Sequence, residues 1–435
     1  MCAKKIMVYS IPDKPFFVSW QKILLLFPEF KGVFLFVLLL VPGNIFAQDL
    51  LQWRGPNHSG IYSETGLLKS WPSGGPAMLW SFKGLGAGHG NAGPGKDKVF
   101  VLGMHETTGV LYAFDYNGKL VWKKEYGSEW SENYVGARST PVVVGDRIYF
   151  ESGMGTVYCY DAGTGNKIWS VDLLKKFNAD NVTWGMAESL LIEGDYLYCT
   201  PGGKENNIVA LNRVTGETIW TSPGSRQPSA YCSPVLVKHN KTSLIVTMTA
   251  ESIVGVDALT GRLYWQIPHL HYNKIHANSP VYYRGMIFCS SEYNETNSGL
   301  VALKLSDDGK SATILWQNET FKNLMGGIIV TDSHIYGSVY QRNRWCCIDC
   351  LNGKILYSFD RLGDGNIIMA DGLFYCYTER GEIVLVSANA ESFNVISKFK
   401  VPLGTGPHFS HPVIYQGRLY VRHDDGLMVY DIKAE

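Results

Sequence analysis

The chain has no charge excess of either sign: 39 basic and 39 acidic side chains are spread over 435 residues. That balance excludes a general nucleic-acid or acidic-membrane binder, which needs a basic surplus against phosphate. After residue 50 no long segment repeats its apolar residues at helical spacing, so a helical bundle has nothing to build on. The apolar run Val33-Phe-Leu-Phe-Val-Leu-Leu-Leu-Val41 falls short of the ~20 residues of a spanning helix. There is no His-Glu-x-x-His zinc motif and no serine nucleophile elbow. Gly84-Leu-Gly-Ala-Gly-His-Gly90 is glycine-rich, but no helix pattern follows it, so it is not a phosphate loop.

What is present is a repeat. Thr156-Val-Tyr-Cys-Tyr160 reads as a strand of β-branched and aromatic residues. Asp161-Ala-Gly-Thr-Gly165 reads as a turn, in which the Asp accepts amide hydrogen bonds and a Gly takes positive φ. Lys167-Ile-Trp169 opens the next strand with a bulky anchor. Copies of this hairpin place anchors at Trp122, Trp169, Trp220, Trp265, Trp316, Tyr357 and, in a degraded copy, Phe399. The steps are 47, 51, 45, 51, 41 and 42 residues, the period of a propeller blade. Two further strand signals precede each copy, as in Pro141-Val-Val-Val144 and Arg147-Ile-Tyr-Phe150.

The pattern predicts an all-β, eight-bladed β-propeller of four-stranded antiparallel blades. Three strands end the chain without a fourth, and the orphan strand Met78-Leu-Trp-Ser-Phe82 lies near its start. Pairing them closes the ring and hides the sheet edges. The expected division is residues 1–47 as a signal peptide, 48–77 as an N-terminal extension and 78–435 as the propeller. A segment Asp172–Asn181 is expected to hold one helical turn. Lys4, Lys5, Lys14, Lys22 and Lys31 precede the apolar run, and Asn44-Ile-Phe-Ala47 resembles the end of a secretory signal; an uncleaved anchor is the alternative. Cleavage removes five of the 39 basic residues and two of the 39 acidic ones, leaving 34 against 37. The expected location is periplasmic or otherwise at the cell envelope, with no stable membrane span after cleavage.

Export permits disulfides, yet Cys159, Cys199, Cys289 and Cys376 sit in strand patterns and are expected as core groups. Cys346-Cys347 reads either as a vicinal disulfide or soft-metal site, or as two strand positions facing opposite sides.

The Asp-x-x-Thr-Gly-x-x-x-Trp repeats resemble the pyrroloquinoline-quinone-type, or quinoprotein-like, propeller repeat. Gln52-Trp-Arg-Gly-Pro56, Ala137-Arg-Ser-Thr-Pro141, Trp184-Gly-Met-Ala-Glu188 and Thr200-Pro-Gly-Gly203 look like an exported bacterial subgroup of it. The superfamily implies two kinds of function: calcium- and quinone-dependent alcohol dehydrogenases, and a non-enzymatic scaffold of outer-membrane protein assembly. The dehydrogenases carry a vicinal cysteine pair over the quinone and Glu, Asn and Asp around calcium. Here Cys346-Cys347 falls inside a repeat strand, and no local motif matches a catalytic Asp.

The repeat also locates a candidate site. Residues just before each first strand should ring one mouth of the central channel. That ring and its neighbours give His89, Asn91, Arg138, Trp184, Glu188, Tyr231, His276, Asn278, Asp364, His408 and His411 as candidate ligand-binding residues. The alternative is that these groups satisfy one another and channel water. Glu188, Asn278 and Asp364 suit calcium by type but sit on alternate blades, too far apart to share one ion, so no metal is expected. The expected function is a binding or scaffold propeller for a protein partner or small polar ligand, with no nucleic acid and no cofactor. A quinone- or metal-dependent oxidoreductase with pyrroloquinoline quinone and calcium is the alternative.

Overall fold

The computed structural model describes residues 52–434 apart from 272 and 293–298; the expected signal peptide lies outside the described residues. Seven four-stranded sheets and one five-stranded sheet follow one another as eight blades. In chain order they span 93–128, 142–172, 191–222, 235–268, 281–318, 329–359, 365–400 and 413–431. The last blade takes its outer strand, Met78–Lys83, from the start of the chain, with Phe82 opposite Leu427. The ring is therefore closed by the pairing expected for the orphan strand. The expected helical turn is Leu173–Phe177, capped by Asp172, whose carboxylate accepts from the Lys175 amide.

Each blade is graded from axis to rim. Third strands such as Thr156–Asp161 are buried on both faces, because each lies between two neighbouring blades. Fourth strands such as Lys167–Asp172 alternate exposed and half-buried residues and form the rim. The two-sided burial explains the near-continuous apolar third strands. It also answers the cysteine question. Cys346 packs between blades 5 and 6 and Cys347 between blades 6 and 7, as free thiols on opposite faces of one strand.

The anchor does more than fill the core. Gly165 holds φ +69, and a Cβ there would lie 2.9 Å from the Trp122 ring of the preceding blade. The Trp122 indole N–H donates to the Gly163 carbonyl at 3.1 Å. Trp80, Trp169, Trp220, Trp265 and Trp316 make the same bond to the turn of the next blade. The turn glycine is thus the seat of its neighbour's tryptophan, and the two signatures of the repeat form one blade-to-blade joint.

Blade 7 departs from the expectation. The residue equivalent to the anchor Trp is Ser397, opposite Leu385, and not Phe399, which pairs two positions on with Ile383. Trp71, from the segment before the propeller, compensates. Its amide donates to the Ser397 hydroxyl at 2.7 Å, and its ring lies edge-on to Phe399 and Tyr375 at 5.6 and 5.7 Å.

Candidate functional site: a hydrogen-bonded mouth around a filled axis

The positions preceding the first strands form a belt bonded across every blade boundary. The Asn91 amide donates to the Thr140 hydroxyl at 3.0 Å, the Thr140 amide to Ser189 at 3.0 Å, and the Ser189 amide to Ser233 at 2.8 Å. The Ser279 hydroxyl donates to the Ser233 carbonyl at 2.7 Å, and the Gly327 amide to Asn278 Oδ1 at 2.8 Å. The Ile367 amide donates to the Gly326 carbonyl at 3.1 Å, and Asn366 Nδ2 to the Ser410 carbonyl at 3.1 Å. The eighth boundary closes through the Ser410 hydroxyl on the His89 carbonyl at 2.6 Å and Asn91 Nδ2 on the His411 carbonyl at 2.6 Å. Small polar residues recur here because each must satisfy a neighbour's backbone in a buried joint.

The eleven candidate residues fall into separate groups around this belt. His89 and Arg138 come together: both donate to the Tyr134 carbonyl, at 3.2 and 2.6 Å, beside the Phe409 ring. Burial, then Arg138, pushes the His89 imidazole down to about 4. Trp184 pairs with Tyr231, whose hydroxyl accepts the Trp184 amide at 3.4 Å. His276 is fully buried against His269 and His271, with ring centroids 5.2 and 5.8 Å away. Asn278 binds Asn323, and Asn91 faces inward to the Tyr420 and His411 carbonyls, so both serve the joints. Asp364 accepts the Gln341 amide at 2.7 Å. His408 bonds Tyr377 at 2.6 Å and stacks on His423 at 3.7 Å.

Glu188 belongs to a group of buried carboxyls. One oxygen accepts the Thr200 amide at 3.0 Å. Burial raises Glu188 to about 8, and burial plus the neighbouring Glu188 raises Glu151 well above the usual carboxylate range. Glu129 is raised by burial although Tyr126 and the Trp130 and Gly153 amides all donate to it. Two like charges at close range in a dry site cannot both ionise at neutral pH.

The central finding is on the axis. Gln52 Nε2 donates to the Ile192 carbonyl of blade 3 at 3.5 Å while its Oε1 accepts the Ile192 amide at 2.9 Å, and Asn57 accepts the Leu236 amide of blade 4 at 3.1 Å. Arg54 donates to the Ile328 and Ile367 carbonyls of blades 6 and 7, at 3.0 and 3.4 Å. The Trp53 ring meets His411 of blade 8 at 5.2 Å, and Ile61–Tyr62 pairs in parallel with the first strand of blade 7. A segment that reaches the innermost strands of five blades at once lies on the axis. Arg54 is 1% exposed and wedged against Gly60 and Gly327, where a Cβ would come within 2.5 Å of its guanidinium. Burial holds its pKa down to about 10, and burial, then the Arg54 charge, presses His58 and His411 down to about 3. Glu64 then caps the Gln416 and Gly417 amides at 2.5 and 2.6 Å as the chain leaves.

None of Gln52, Trp53, Arg54, Asn57 and His58 was among the candidates. The available signal was that Gln52-Trp-Arg-Gly-Pro56 mixes an aromatic, a cation and turn residues outside any repeat. The axis also bears on a quinone. The cysteines that would cap a planar ring face opposite blade interfaces, and the described residues contain no group of three or more His, Cys, Asp or Glu placed to hold a metal. Cys346 and Cys347 therefore do not present the side-by-side pair that would cap a planar quinone.

The chain is 28% identical over 164 residues to the outer membrane protein assembly factor BamB of Kangiella koreensis, covering 37% of this chain and 38% of that protein. It is 22% identical over 332 residues to BamB of Yersinia pestis, covering 71% and 77%. The quinohemoprotein alcohol dehydrogenase of Comamonas testosteroni shares the fold with a TM-score of 0.60 at 13% identity, covering 89% of this chain and 80% of that one. The family model described as outer membrane protein assembly factor BamB matches residues 107–359, more than half of the chain and five of the Trp-to-turn joints, and this chain belongs to that family.

Proposed function

We propose that this chain is an exported, non-enzymatic scaffold that holds a protein partner in outer-membrane protein assembly. The observation that carries the reading is the filled axis. The chain's own Gln52–Tyr62 segment occupies the place where an axial ligand would sit, which leaves the belt mouth and the blade-joining loops as working surface. Family membership supports the same class. On the mouth, Tyr134 is 59% exposed beside the His89–Arg138 pair, offering an aromatic and a cation together, the residue types that dominate protein interfaces.

The leader fits export, with maturation before Gln48. N-terminal sequencing of envelope-derived protein checks this; an intact segment 1–47 contradicts it. The scaffold reading is tested by removing the chain from its source cell and quantifying outer-membrane β-barrel proteins. A fall restored by the wild type, but not by a Tyr134→Ala, Arg138→Ala variant that folds normally, is expected. Unchanged barrel levels would sink the reading.

A further inference from the structure

A concavity lies where the loops joining blades 2, 3, 4 and 5 meet. It encloses about 410 Å³, within the ~300–1,000 Å³ of small-molecule sites. Its floor is built by close backbone approach. A Cβ on Gly202 would lie 2.3 Å from the Ser229 amide nitrogen, and one on Gly203 would lie 2.5 Å from the Phe177 carbonyl. Only glycine lets these three loops converge.

The walls are held in costly conformations. Asn178, Arg226, Tyr231 and Lys274 all line the cleft with positive φ, at 50°, 61°, 78° and 59°. Left-handed backbone at Arg, Tyr and Lys is unfavourable and persists only where the surroundings impose it. The surroundings do so here. The fully buried Asn207 donates to the Gln227 carbonyl at 2.5 Å and accepts the Ser225 amide at 3.2 Å, pinning the loop that presents Arg226 and Tyr231.

The lining has a distinct chemistry. Asn178, Asp180 and Asn273 line the cleft with side-chain amide and carboxylate groups able to meet hydroxyls, while the Asn181 amide is taken up by the Gly153 carbonyl and the Val182 amide. The Tyr231 ring adds an aromatic surface, fixed through its hydroxyl on the Trp184 amide. Lys204, Arg226 and Lys274 bring positive charge. Arg226 is held by Glu205 at 2.8 Å and Lys274 by Glu251 at 3.8 Å, both in solvent, where an incoming carboxylate can replace the partner at little cost. Lys204 makes no ion pair among the described residues.

We infer that this cleft binds an acidic saccharide of about one or two rings, its hydroxyls met by the amides and its carboxylate by Lys204 and Arg226. The cleft lies among the blade-joining loops and reaches the mouth at Tyr231, and saccharide binding to the isolated chain does not depend on the scaffold reading.

Calorimetric titration of the mature chain with glucuronate, glucose and inorganic phosphate tests the inference. Glucuronate is expected to bind at least tenfold tighter than either of the others. The double variant Lys204→Ala, Arg226→Ala, both exposed and outside the core, should lower glucuronate affinity at least tenfold with an unchanged melting temperature. Lys123→Ala, on the rim of blade 1, should not change it. Equal affinity for glucose would refute recognition of the acid, and equal affinity for phosphate would refute recognition of the sugar. Absent glucuronate binding, or binding indifferent to the double variant, would overturn the site.

Discussion

Replacing Glu188 by Gln should stabilise the protein at alkaline pH, and by an amount that depends on pH in a defined way. In the folded chain burial lifts Glu188 from an ordinary 4.5 to about 8. Between those values the folded state keeps a proton that the unfolded state releases, so stability falls as pH rises through the window and levels above about 8. The full span corresponds to about 5 kcal/mol at ~1.4 kcal/mol per pKa unit, an upper bound because Glu151 shares the site. Gln copies the neutral acid: its carbonyl can still accept the Thr200 amide, and no charge needs burying. The stability difference between Glu188→Gln and wild type should therefore grow by about 1 kcal/mol per pH unit from about pH 5 to 8 and then flatten. The histidines act oppositely. His58, His89, His269, His271, His408 and His411 are all depressed by burial, so their contribution rises as pH climbs toward 6.5. The wild type should then be most stable near about pH 6 to 7. Urea melts of both proteins at each pH give the difference from the midpoints. A difference that stays constant across the range would show that Glu188 is ionised in the folded state, and would refute the argument.

Gly327→Ala should destabilise by about 2 kcal/mol or more, because φ is +70 and the new methyl would meet the Arg54 guanidinium at 2.5 Å. A melting temperature equal to wild type would argue against the packed axis. Trp71→Ala should cost about 3 kcal/mol, the scale of a lost core aromatic, measured by denaturant unfolding. A loss below ~0.5 kcal/mol would place Trp71 outside the blade 7 joint. Cys346 and Cys347 should resist a thiol reagent in the native state and react as two free thiols once unfolded, read by mass spectrometry. A mass lower by two hydrogens with both thiols blocked would mean a vicinal disulfide.

The ring was legible in the sequence because its signals are local. An Asp, a turn Gly and a Trp within nine residues, repeated at blade spacing, state one hairpin each time. Closure by Met78–Phe82 followed from counting strands. The purpose of the Trp was not legible, because its partner, the next blade's turn glycine, lies about forty residues away, as with Trp122 and Gly165. Phe399 was misjudged as an anchor because the blade 7 hairpin runs on to Ala388 and Phe393 and carries Ser397, not an aromatic, at the position opposite Leu385. The candidate ring was located by equivalence, but equivalence reports height and not direction. Asn91 and Asn278 turned out to stitch blades, whereas His89 and Arg138 reach the mouth. The axial segment was hidden most completely. Its bonds to Ile192, Leu236, Ile328 and Ile367 span 140 to 313 residues of chain, and no pattern within Gln52–His58 encodes them.

With the axis filled by the chain itself, the mouth is the surface proposed to meet a protein. The most direct test is the mass and absorbance of the complex purified, after mild cross-linking, from the envelope of the source cell. The account predicts a defined assembly of this chain with an outer-membrane assembly protein and no quinone absorbance. A monomer carrying stoichiometric quinone and calcium would contradict it.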